Sequence, residues 1–329
     1  MKIKIGQIGI GHNHGGSKMQ AIKKFPELFE VVGIAIESEE WEEKRGHFDV
    51  YKGFERYTPE ELIDKCDAIL VESDVKELTK YALMCVEKGK HIHMDKPASG
   101  TLEDFKKVVD TAKEKNLVMQ MGYMYRYNPA VLKTFELIKD GKIGDIQSIN
   151  AEMSTYHSVE YKKWLTTFKG GIMYILGSHL VDLIVYMMGE PDKITSYLKH
   201  TGYDGVDLCD NCLAVLEYGN ALARIYVSSV EVNGWGRRQL VVCGKKGSVD
   251  IVPLENPCQM WYSDLEIADK FYEDKKVYFD IEDVAKGDRY DTMVQDFYEY
   301  IVGTKTNPFT YEHDYIVQKV LCEIIGGTN

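Results

Sequence analysis

The chain has 329 residues, 44% hydrophobic and 28% charged, a globular composition long enough for two domains or one large α/β domain. No stretch supplies the ~18 consecutive apolar residues of a membrane helix, so no membrane partner is expected, and a formal net charge of −12 with no lysine- or arginine-rich stripe argues against a nucleic-acid partner. The opening MKIKIGQIGIG alternates and then turns at glycines, which reads as a strand and not as a signal peptide, so a cytoplasmic protein is expected.

From residue 1 to about 122, strands and helices alternate. Ile3, Ile5, Ile8 and Ile10 mark a first strand; Met19, Ile22 and Phe25 recur every third residue and mark a helix; FEVVGIAI is a second apolar strand. In YTPEELIDK, Thr58 is a helix cap, Pro59 fits the first turn and Glu61 completes a capping box. DAILV, HIHM and LVMQM follow as strands, separated by helices from Val75 to Lys88 and from Thr101 to Asn116. Strand–helix units of this length, with strands apolar on both faces, predict a parallel, doubly wound Rossmann sheet.

After Gly122 the rhythm changes. Asn128 and Pro129 start a helix, DIQSINAEMSTYH is a long strand, and a helix is predicted from about Gly171 to Met188. Strands are then expected near 193–200, 211–218, 221–231, 238–243, 247–252, 258–262 and 276–280, with tight turns at EYGNAL and CGKKGS. Two helices, DTMVQDFYEYIVG and DYIVQKVLCEIIGG, close the chain. The fold class is therefore α/β: a Rossmann domain over 1–122 and, over 123–329, an α+β domain on a mainly antiparallel open sheet, with a terminal helix able to pack back on the first domain.

The seven cysteines, at 66, 85, 209, 212, 243, 258 and 322, are odd in number and sit mostly in apolar runs, as small core residues do in a reducing compartment. Only Cys209 and Cys212 form a CxxC, which without a second pair or nearby histidines reads as a loop before a strand.

The first strand ends in GIGHNHGG. Gly9 and Gly11 are spaced as in a dinucleotide-binding turn, where the backbone approaches a pyrophosphate at the N-terminus of the next helix; His12, Asn13 and His14 belong to that loop, and no metal is expected there. Glu37 ends the second strand and is the candidate for the adenosine ribose, its alternative being a solvated loop acid. With no arginine beside it, NAD is expected over NADP. HIHM is a later parallel strand, so Asp95-Lys96-Pro97 falls at the carboxyl edge of the sheet, where ligands bind; a proline there stiffens the loop that presents Lys96.

The segments GIGHNHG, GKHIHMDKPAS, MGYMYRYNPA, DGKIGDIQSINAE, GGIMYILGSHLVDLIVYMMGEP and CGKKGSVDI, in this order, resemble the Gfo/Idh/MocA oxidoreductases, named for glucose–fructose oxidoreductase and inositol dehydrogenase. The resemblance implies an NAD(P)-dependent enzyme acting on the CH–OH group of a sugar, polyol or sugar derivative, and a homodimer or homotetramer formed through the C-terminal sheet. Asp95-Lys96-Pro97 is similar to the family's EKP, and by resemblance Lys96 holds the substrate hydroxyl, with Gly122 and the Ser73-Asp74 stretch near the cofactor. The family's T-P-N is absent at Ser73-Asp74-Val75. In GGIMYILGSHLVD, Ile175 stands where a catalytic aspartate is usual, while His179 is by resemblance the proton acceptor and Asp182, three residues on, is placed to orient it; a buried core histidine is the alternative. Arg126 matches a family arginine that contacts substrate or braces the domains. Tyr156, His157 and Trp164 lie on the strand and loop leading to His179, where a sugar pocket wants aromatic faces, packing being the alternative. Two further activities fit the same resemblance: glycoside cleavage by transient oxidation and elimination, and a regulator that binds NAD without chemistry.

Overall fold

The computed structural model describes residues 2–268, 275–281 and 289–329. It divides into two compact units, the first formed by the described parts of 1–124, 287–318 and 328–329, the second by those of 125–286 and 319–327.

The first unit holds β1 (Ile3–Ile8), α1 (Gly15–Lys23), β2 (Phe29–Ala35), α2 (Glu39–Trp41), α3 (Pro59–Lys65), β3 (Ala68–Val71), α4 (Leu78–Glu87), β4 (His91–Met94), α5 (Leu102–Glu114) and β5 (Met119–Met121). Its five strands are all parallel, in the order β2-β1-β3-β4-β5. Burial on both faces explains the unbroken apolar runs: every residue of β3 is buried. The predicted capping box forms at α3, where the Thr58 hydroxyl accepts from the Glu61 amide at 3.3 Å and the Glu61 carboxylate accepts from the Thr58 amide at 3.0 Å. Glu39–Gly46, which the sequence leaves without an element, is helical and passes from α2 into a π-helical turn. A run of charges has no apolar period to reveal it.

The second unit holds α6 (Pro129–Lys139), β6 (Ile146–Glu152), α7 (Val159–Leu165), α8 (Ser178–Met188), β7 (Lys193–Lys199), β8 (Asn211–Tyr218), β9 (Ala221–Ser228), β10 (Gln239–Gly244), β11 (Gly247–Ile251), β12 (Met260–Asp264) and β13 (Val277–Phe279). They form an eight-stranded sheet in the order β13-β12-β11-β10-β6-β9-β8-β7, antiparallel except for the β6–β9 pair. Asn128 caps α6 through its side-chain oxygen, 2.9 Å from the Ala130 amide, and Pro129 sits where no donor is needed. Cys212, Ala214 and Leu216 of β8 point inward with Ala223, Ile225 and Val227 of β9, and α8 packs on β6 and β9. The other face is left open, with Tyr197 and Leu222 about half exposed, at 51% and 53%. The chain ends with α9 (Asp291–Val302) and α10 (Tyr311–Ile324), the unit division falling within α10. Among the described residues no helix is long and apolar enough to cross a membrane.

Candidate functional site

At the end of β1 the backbone of Gly9 takes φ +86°, and a Cβ added there would lie 2.2 Å from the Ser73 Cα. Only glycine lets the β1 and β3 ends approach so closely. A Cβ on Gly11 would lie 2.4 Å from a Glu37 oxygen and 2.6 Å from the Asp74 amide nitrogen. The Glu37 carboxylate accepts from the backbone amides of Ile10, Gly11 and Asp74 at 2.8–2.9 Å, fastening the loop to the end of β2. Burial pushes its pKa up against those three bonds.

The loop has a second clamp that the sequence reading excluded. Arg45 donates through Nη1 to the carbonyls of Ile10, Gly11 and His12 at 2.8–3.0 Å and through Nη2 to the Asn13 side chain at 2.6 Å, its guanidinium 4.8 Å from the Trp41 ring. An arginine does stand beside Glu37: eight residues on, the helical turn after α2 carries it back over the loop. At the start of α1, His14 provides no side-chain cap, and the first turn holds no acid. The close glycine turn and the uncapped helix start fit a dinucleotide pyrophosphate.

Behind the loop lies a buried ion cluster. Lys18 of α1, fully buried, places Nζ 2.9 Å from a Glu72 oxygen at the end of β3 and 2.6 Å from Asp95 Oδ2 at the end of β4. His12 Nδ1 and His14 Nδ1 lie 2.9 and 3.2 Å from the same Asp95 oxygen, and His93 Nε2 is 3.7 Å from Glu72. Burial strips the charge from the histidines, taking His14 and His93 down to about 3. Burial also raises Glu72 well above its ordinary range. Asp95 is held well below, burial being overcome by His12, Lys18 and His14. His12, His14 and Asp95 are close enough together to hold a metal, but the Lys18 ammonium already sits on the shared oxygen. Gly122 completes the wall, since a Cβ there would lie 2.6 Å from Lys18 Nζ.

Lys96, 3% exposed, follows Asp95 directly. Its amide donates to Asp95 Oδ1 at 2.7 Å, the Lys96–Pro97 peptide is cis, Ala98 O accepts from Gln318 at 2.9 Å, and Ser99 and Thr79 exchange amide–hydroxyl bonds at 2.9 and 3.1 Å. Every residue of the loop but the proline is thus tied down. Burial, opposed by Asp95 and aided by Lys18 and Arg289, brings the Lys96 ammonium down to about 8. Ser73 is buried and donates to Asp74 O at 3.2 Å, and Asp74 caps the short turn Val75–Glu77 through the Lys76 amide.

In the second unit Ile175 and His179 are both buried, the first in the π-helical turn Met173–Gly177 before α8, the second within α8, its ring edge-on to Tyr125 with centroids 5.1 Å apart. Asp182, expected to orient the imidazole, is engaged by Arg126, whose Nε and Nη2 reach its two oxygens at 2.6–3.1 Å, both residues being buried. A two-pronged guanidinium matches a carboxylate better than one imidazole nitrogen does. Tyr156, His157 and Trp164 do not all lie on a strand and loop: Ser158 caps α7, which carries Trp164. His157 stacks on Tyr161 at 4.4 Å, Tyr161 and Trp164 are 5.2 Å apart, and Tyr156, 54% exposed, lies 4.4 Å beneath the Lys162 ammonium. Burial, with Arg238 and Lys162, lowers His157 to about 4.

A five-stranded parallel sheet whose first turn is a glycine loop, followed by an open eight-stranded sheet, defines a dinucleotide-binding α/β protein with a second sheet domain. The chain belongs to the Gfo/Idh/MocA family: residues 3–123 match its oxidoreductase family NAD-binding Rossmann fold and residues 131–250 its C-terminal domain. It is 25% identical over 153 residues to scyllo-inositol 2-dehydrogenase (NADP(+)) IolW of Bacillus subtilis (strain 168), covering 46% of this chain and 42% of that one. It is 26% identical over 236 residues to the levoglucosan dehydrogenase of Pseudarthrobacter phenanthrenivorans, covering 60% and 59%. The alignments therefore span about half the length of these curated relatives. The solved UDP-N-acetylglucosamine 3-dehydrogenase GnnA from Acidithiobacillus ferrooxidans shares the fold, with a TM-score of 0.79, 16% identity and coverage of 100% and 98%.

Proposed function

We propose that the protein is an NAD-dependent dehydrogenase of a hydroxyl on a sugar, polyol or sugar derivative. The observation that carries this reading is Lys96: a buried lysine on a loop held by hydrogen bonds on both sides of its proline, at the carboxyl edge of the parallel sheet, its ammonium brought down to about 8. Gly9, Gly11 and Asn13 with the start of α1 are assigned to the pyrophosphate, and Ser73, Asp74 and Gly122 to the walls of that site. The bound dinucleotide supplies hydride acceptance and return. Lys96 Nζ donates to the substrate hydroxyl oxygen and fixes its direction, and the His179 imidazole receives the hydroxyl proton.

NAD is proposed over NADP because the Glu37 carboxylate lies against Gly11 and repels a second phosphate, while Arg45 is committed to four acceptors of the loop itself. Tyr156, His157 and Trp164 are assigned to the faces of the sugar ring, and Arg126 to bracing α8 through Asp182. Names of relatives that specify an inositol and an anhydrosugar support the substrate class. Two or more copies are proposed to join through the open face bearing Tyr197 and Leu222, which light scattering tests against a monomer mass. The activity is tested by following NADH absorbance with inositols, aldoses and anhydrosugars. Accumulation with one of them is expected; sugar release without NADH, or a bound cofactor whose redox state no substrate changes, contradicts the proposal.

A further inference from the structure

Away from these residues, the ends of β7 and β8 bring together a thiol, an imidazole and a carboxylate in hydrogen-bonded order. Cys209 Sγ is 3.0 Å from His200 Nε2, and His200 Nδ1 is 2.6 Å from Asp207 Oδ1. The sequence reading saw no histidine near the CxxC; the β7–β8 pairing supplies one nine residues upstream. The frame holding the two is fixed. Asp210, itself buried, accepts from the Thr201 amide at 2.9 Å and from its hydroxyl at 2.6 Å, its amide donates to Lys199 O at 3.0 Å, and Cys209 O accepts from the Ile172 amide at 3.1 Å. His200 follows Lys199 directly and Cys209 precedes Asp210, so both are set by these bonds.

We propose that Cys209 is a modification site, a thiol served by His200 as base and Asp207 as orienting acid, that exchanges with small-molecule disulfides. The order of contacts is what such a step needs: Asp207 accepts a hydrogen bond from Nδ1–H, fixing the tautomer in which Nε2 accepts from S–H. Burial and the nearby Asp210 and Asp207 carboxylates push the Cys209 thiol up, with the Gly170 amide opposing. The resting sulfur therefore keeps its proton, and the base in contact has to remove it to give the attacking thiolate. In the step, Sγ bonds to one sulfur of R–S–S–R as that S–S bond breaks; the thiol proton passes to His200 Nε2 and from there to the departing R–S⁻, so one thiol and one disulfide become one mixed disulfide and one thiol. The group added lands beside the backbone of Gly170–Ile172, the segment that leads into the turn before α8, since a Cβ on Gly171 would already lie 2.6 Å from Cys209 O.

The molecule carries its own comparator. Of the seven cysteines only Cys209 and Cys243 are not buried. The native protein is incubated with oxidised glutathione and glutathionylation of each cysteine is followed by peptide mass mapping. Cys209 is expected to react about tenfold faster than Cys243, with both His200→Gln and Asp207→Asn slowing Cys209 several-fold, by about a factor of ten for the first, and leaving Cys243 unchanged. Equal rates at the two cysteines, or a Cys209 rate untouched in whichever variant keeps its circular dichroism spectrum, overturn the proposal.

Discussion

Each unit buries an ion assembly. In the second, the Arg126 guanidinium and the Asp182 carboxylate, opposite charges, meet as a fork with matching geometry. In the first, Lys18 faces two carboxylates, three histidines crowd round them, and Lys96 follows in sequence, so more titratable groups are present than the interior can hold charged. The consequence is that protons are unevenly distributed: Glu72 is driven up, Asp95 down, the histidines down and Lys96 down. A satisfied pair braces a helix, whereas an oversupplied cluster sets proton affinities, and displaced affinities are what chemistry uses.

That contrast can be broken at either end. Lys96→Met should have the largest effect, lowering turnover by about two to four powers of ten in a protein that still folds; near-normal turnover would remove the cluster from the chemistry. Arg126→Ala should cost about 3–5 kcal/mol in denaturant unfolding, because it removes the two-pronged partner of the buried Asp182 carboxylate. Lys18→Met should cost less, about 1–3 kcal/mol, since burial already raises the proton affinity of Glu72, which can take up a proton when its counter-charge is lost. Combining Lys18→Met with Glu72→Gln should bring stability back towards the parent, whereas additive losses would show that Lys18 acts by packing alone. Smallest is the cofactor preference: NADH should bind more tightly than NADPH in a fluorescence titration, and Glu37→Gln should narrow the difference by about tenfold or less, the worth of one partly screened charge.

Much of the fold was legible because its signals are local. Apolar runs marked the parallel strands, Thr58-Pro59 and Asn128-Pro129 marked helix starts, and Gly219-Asn220 marked the β8–β9 hairpin, which closes with Tyr218 opposite Ala221. α7 is not foreseen because Trp164, like Tyr156 and His157, reads as lining of a pocket, and its cap Ser158 lacks the acid that completes a capping box. The glycine loop and the Asp95-Lys96-Pro97 turn stood out as motifs, yet their supports did not. Lys18 is not among the residues that the motifs single out, although Gly15, Lys18, Met19 and Ile22 are spaced as one helical face and all four are buried. That spacing was the available signal. Nothing comparable announces Arg45 or the His200–Cys209 contact, which depend on how a helical turn and two strand ends are folded back.

The central claim is that the first unit's cluster tunes Lys96, and the proton affinity of Lys96 tests it most directly. Reductive methylation with carbon-13 followed by NMR titration, with Lys96→Arg identifying the resonance, should give a pKa of about 8. Lys96 is then harder to protonate folded than unfolded, so its contribution to stability should rise with pH between about 8 and the ordinary lysine value of ~10.4, where the unfolded chain binds more protons. A Lys96 that titrates near ~10.4 with its neighbours intact would contradict the account.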